Sequence, residues 1–158
     1  MVDGFRVLAQ HDAMVMGAWK DVVILYMRGN ATVPVLTAIR WGYREMLTEF
    51  RQLITMTIID VVKIPRLQDD ERAFIKQMSD EMKGKVSTSV QWVEGTGMAA
   101  TTARVVLMGL QMLTKDETLT MKNREDAVTH IMEKAQPAWP RASLETAITE
   151  TMKRASRF

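Results

Sequence analysis

Residues Leu53–Val62 read LITMTIIDVV, a run in which only Thr55, Thr57 and Asp60 are polar. Its β-branched, apolar character, halted by Pro65, is that of a strand covered on both faces, as in a parallel sheet. The same composition occurs upstream at Asp21–Arg28 (DVVILYMR), which Gly29-Asn30 breaks. Between the two, from Val33 to Arg51, the residues Leu36, Ile39, Tyr43, Met46, Leu47 and Phe50 recur at steps of three and four. That stripe predicts an amphipathic helix, with Thr32-Pro34 suited to its first turn. Strand, helix and strand in this order predict a parallel βαβ unit.

Working outward, Asp69-Asp70-Glu71 place carboxylates where the macrodipole of a helix running to Met82 favours them, and Gly84 suits its end. Val86–Val93 follows as a strand with one more polar face. Gly95-Thr96-Gly97 turns into a helix from Met98 to Leu113. A short strand at Thr118–Lys122 and a helix at Arg124–Ala135 complete the alternation. At the other end, Phe5–Ala9 and Ala13–Ala18 read as short strands around a His11-Asp12 turn. Pro137 and Pro140 flank Trp139 and mark a stiff break before a last helix near Ser143–Ala155. The apolar stripe of this helix is Leu144, Ile148, Met152 and Ala155. The expected fold is an α/β single-domain sandwich with a mixed, largely parallel sheet of five or six strands, helices packed on it, and an appended C-terminal helix. The stripe of that helix must be buried against its own domain or in a partner subunit.

Composition narrows the chemistry. With 158 residues one domain is expected. The absence of cysteine excludes disulfides, thiolate metal sites and Cys nucleophiles, and the two histidines, His11 and His130, offer little to a metal. Neither a metal nor another cofactor is expected. The net charge of +2 comes from interspersed signs and points to no nucleic acid. The apolar run Val22–Met27 falls far short of the ~18–20 residues of a membrane span, and the opening residues lack a signal-peptide core, so a cytoplasmic protein without membrane contact is expected. Of the 14 methionines, Met56, Met78, Met82, Met108, Met112 and Met132 fall at expected core positions, while Met14, Met16 and Met27 belong to the opening strands, where a sheet edge is one reading.

Several groupings invite a functional interpretation beside a structural one. At ~100° per residue, Trp41 lies opposite the apolar stripe of the first long helix, with Arg40, Arg44 and Arg51 along the flank. An exposed Trp among Arg has the composition of an interface hot spot; the alternative is a Trp packed under a neighbouring loop or the C-terminal helix. Gly95-Thr96-Gly97 before a helix would suit an anion at the free helix N–H groups, with Arg104 nearby as an anchor. The structural alternative is a tight turn capped by Thr96, with Arg104 paired to Glu94 or Asp60. Asp69-Asp70-Glu71 read as dipole partners rather than acid–base catalysts. No nucleophile elbow is present, and no enzymatic activity is expected.

An opening ribbon followed by βαβαβαβα resembles the STAS-like domains, which include the anti-sigma-factor antagonists. The likeness rests on element order and the stretch Leu53–Asp60. It covers roughly residues 5 to 135, within a domain expected over 1–135, leaving 136–158 as a Pro/Trp linker and amphipathic helix. It implies a non-catalytic module for protein–protein regulation, commonly switched by phosphorylation of a Ser or Thr just after the second inner strand. Between Asp60 and Asp70 this chain contains neither residue. What remains of that site is a backbone position lined by Lys63 and Arg66. The expected partner is a protein, met at Arg40, Trp41, Arg44, Lys63 and Arg66, with a homodimer through the last helix as a further possibility. The alternative is a small anionic or phosphorylated ligand at Gly95, Thr96, Gly97 and Arg104.

Overall fold

The computed structural model describes residues 2–11, 13–60, 67–95, 97–98, 100–104 and 118–155. Its elements are β1 (Arg6–His11), β2 (Met14–Trp19), β3 (Val22–Met27), α1 (Val33–Leu47), β4 (Leu53–Asp60), α2 (Asp69–Met82), β5 (Val86–Glu94), β6 (Leu119–Thr120), α3 (Arg124–Ala135) and α4 (Arg141–Ala155). Residues 100–104 are also helical. The strands form one six-stranded sheet in sequential order. β2 is antiparallel to both of its neighbours, β1 and β3, and β3 to β6 are parallel. This is the mixed, largely parallel α/β architecture that the alternation of elements predicts.

Each sheet face carries its own core. One face packs Val23, Leu25 and Leu53 against Leu36, Ile39, Tyr43 and Met46 of α1, with Phe74, Ile75 and Met78 of α2 alongside. The other packs Val15, Trp19, Ile24, Met56, Ile58 and Trp92 against Val128 and Ile131 of α3 and Leu144 and Ile148 of α4. Both faces of the inner strands are therefore dry, which is why these strands carry apolar residues without alternation. Met14, Met16, Met46 and Met56 are fully buried, so the opening-strand methionines are core and not edge. Met108 and Met112 lie outside the described residues.

Boundaries shift where local hydrogen bonds compete. α1 ends at Leu47 and not at Arg51, since the Thr48 hydroxyl donates to Glu45 O at 2.6 Å and the chain turns toward β4. Arg51 is therefore off the helix. α2 spans the expected residues. Glu71 Oε2 accepts from the Gln68 N–H at 2.8 Å, so this carboxylate works as a cap. Gly84 follows the Lys83 cap at φ +77°. α4 begins at Arg141, directly after Pro140. Its stripe is covered by its own sheet: Leu144, Ala147 and Ile148 are fully buried against β2 and β3. Trp139 of the preceding break meets Trp19 edge-on at 4.9 Å between ring centres.

Candidate functional site

On the outer surface of α1, Trp41 is 61% exposed. The sequence places it opposite the buried stripe, and so does the structure. Pro34, Thr37, Arg44 and Thr48 share the exposed side of the helix and its end. The two flanking arginines converge on one acid of α2. Arg40 Nε lies 2.9 Å from Glu81 Oε2, and Arg44 Nε lies 2.5 Å from Glu81 Oε1. Arg40 also lies over the Phe74 ring, 5.6 Å from its centre. The hydrogen bond from Arg44, with the charge of Arg40 beside it, holds the Glu81 carboxyl below the usual carboxylate range. Much of the Arg-rich flank is thus spent tying α1 to α2, with two cations sharing one anion. Glu81 lies on another helix, so periodicity within α1 carries no sign of it. Lys63 and Arg66 lie outside the described residues.

The Gly95–Gly97 turn follows β5 as expected, with φ of +88° at Gly95 and +103° at Gly97, conformations that favour glycine. Thr96 lies outside the described residues. Arg104 turns back onto this segment, and its guanidinium donates to Val93 O and Gly95 O, each at 3.3 Å. The expected acids are engaged elsewhere: Glu94 Oε1 accepts from the Trp92 indole at 2.7 Å, and Asp60 accepts from the Tyr26 hydroxyl. Arg104 instead serves carbonyls at the turn, where the strand ladder ends.

Those two acids belong to a cluster that residue-by-residue reading misses. Register aligns Tyr26 with Ile58, Ile58 with Trp92, and Asp60 with Glu94. Tyr26, Asp60, Trp92 and Glu94 therefore share one sheet face at the carboxyl ends of the parallel strands. Burial, then the hydrogen bond to Asp60, push the Tyr26 phenol above its ordinary value, keeping it a neutral donor. Beside it, Arg28 donates to Ala155 O at 3.1 Å, placing a cation on the carbonyl end of α4. The available signal was a polar residue at the end of each apolar strand, legible once the strands are in register.

Between α3 and α4 an open cleft of about 520 Å3 is lined by Arg124, Glu125, Arg141 and Glu145. Its arginines are engaged: Arg124 donates to Glu145 O and Thr149, and Arg141 to Glu145 and Thr129. Among the described residues no group of three or more acidic or histidine side chains is placed to hold a metal ion. No helix among them is long and apolar enough to cross a membrane. Comparison with protein-family models and with curated proteins finds no match.

Proposed function

We propose that this chain is a non-catalytic, STAS-like interaction module of the cytoplasm that docks a protein partner on the outer face of α1. The observation that carries this reading is Trp41, a large aromatic side chain 61% exposed in the middle of a helix whose Leu36, Ile39, Tyr43 and Met46 are buried. Exposed aromatics flanked by Arg are the residue types that dominate binding energy at protein interfaces. Arg40 and Arg44, braced by Glu81, give the surrounding rim a fixed shape with little entropy left to lose. The sequential sheet with its opening ribbon supports the STAS likeness. Docking proceeds without phosphorylation of the β4–α2 connection, which has no Ser or Thr and contributes Lys63 and Arg66 to the contact. Self-association through α4 would use its polar outer face, since its apolar stripe is covered; a monomeric mass for the full chain by light scattering would exclude it.

Photo-crosslinking from position 37, one turn before Trp41, tests the docking role. A defined partner should crosslink to the wild-type chain and be lost on Trp41→Ala, with the melting temperature unchanged. The same partner captured equally by Trp41→Ala and Arg44→Glu would remove the proposed face.

A further inference from the structure

The Trp41 face continues around an edge of the molecule into a second feature. Two residues beyond Glu81 the chain leaves α2 through Lys83, Gly84 and Lys85. This turn lies against the start of β4: Leu53 N donates to Lys85 O at 2.9 Å, and Gln52 Nε2 to Gly84 O at 3.4 Å. Arg51 is thereby brought close to Lys83 and Lys85 at the amino ends of β4 and β5. All three are exposed, and no ion pair engages any of them among the described residues. Nearby charges partly balance: Lys20 precedes Asp21 in the adjoining β2–β3 turn, and Arg6 pairs with Glu49. Glu45 follows Trp41 by one helical turn, about 40° around the axis on the side away from Arg44. Along the band, Arg40, Arg44, Arg51, Lys83 and Lys85 stand against Glu45, Asp80 and Glu81, so the balance is positive.

We infer that this band receives an acidic peptide segment of a protein partner, whose carboxylates meet Arg51, Lys83 and Lys85 while an apolar side chain of the same segment packs on Trp41. The inference rests on the docking role proposed for Trp41 and adds the chemistry of the partner. Charge complementarity selects an acidic occupant, and shape selects a chain over a flat surface. Trp41 faces outward from the helical layer, whereas the lysines sit at the strand ends, around the edge from it. The helix rises about 9 Å from Trp41 to Leu47. An extended peptide advances about 3.3 Å per residue, so a short segment spans both and follows the bend. A planar bilayer would meet one surface or the other. Single-stranded nucleic acid stacks successive bases on several aromatic side chains, and Trp41 is alone among exposed large aromatics in the described residues.

Fluorescence anisotropy on the full chain with a labelled peptide of Glu-Glu-Leu repeats tests this, beside a Lys-Lys-Leu peptide, phosphatidylserine vesicles and oligouridylate. The acidic peptide should bind, weaken as salt is raised, and lose about tenfold or more in affinity on combined Arg51→Glu, Lys83→Glu and Lys85→Glu. Trp41→Ala should weaken it as well. Should the triple variant melt early, Lys85→Ala alone provides the comparison, with a smaller loss expected. Failure of the acidic peptide to bind, equal binding by the variants, or preference for vesicles or oligouridylate overturns the inference. Crosslinked-partner loss on Trp41→Ala together with undiminished capture by the triple variant would leave the docking role standing and remove the acidic segment.

Discussion

Gly17 shows how much of this fold rests on single atoms. A Cβ built there would sit 2.6 Å from Thr151 Oγ1 and 2.9 Å from Phe5 Cε2, so the missing side chain lets α4 and the N-terminal segment approach β2 closely. Gly17→Ala should destabilise the protein by about 1–3 kcal/mol, measured by urea unfolding, because backbone and side chains must move apart. Glu81 offers a test of a different kind. Its folded value lies below its unfolded one, so its contribution is complete above about pH 4.5 and fades as the pH falls through the folded value. The stability gap between wild type and Glu81→Gln should accordingly be flat at neutral pH and close in acid; a gap that widens below pH 4.5 would contradict the pairing with Arg40 and Arg44. Trp41 was legible by helical angle alone, since burial of one face determines which residue points away. The roles of Arg40, Arg44 and Arg104 were not, because their partners lie on other elements or on backbone carbonyls.

Among the elements, α4 reads in sequence as an appendage behind Pro137 and Pro140, yet it closes the core that holds Trp19 and Trp92. Leu144 and Ile148 are fully buried, and each replaced by Ala should cost about 2–5 kcal/mol in urea unfolding. Removal of residues 137–158 would bare Trp19 and Ile24 of the sheet, so the truncated chain should expose dye-binding apolar surface and lose its cooperative melt. A truncated chain that melts as the full one does would show that α4 is dispensable. The apolar stripe was plain in the sequence. What covers it was not, because a stripe states that it must be buried and leaves open against which surface. α2 was read more fully, since its boundaries depend on local chemistry: acids at the start, the Glu71 cap, and glycine after the end.

At the scale of the whole molecule, a sheet with a dry core on each side should unfold as one unit, with the slowest amide exchange in β3 and β4 at its centre. Faster exchange in β4 than in β1, which lies at the edge, would contradict that architecture. Element order, the two-sided burial of Val22–Met27 and Leu53–Asp60, and the position of Trp41 opposite the buried stripe of α1 followed from sequence alone. Each depends on hydrophobic period and short-range steric rules, which neighbours along the chain suffice to express. That Trp41 is open to solvent and not packed under a neighbour is read from the structure. Tertiary structure alone decided that Glu81 gathers Arg40 and Arg44, that Tyr26 reaches Asp60, that Arg104 serves carbonyls, and that Arg51 comes near Lys83 and Lys85. These are meetings of residues distant along the chain. They arise from strand register and helix placement, which the summed packing of both cores sets and no local pattern encodes.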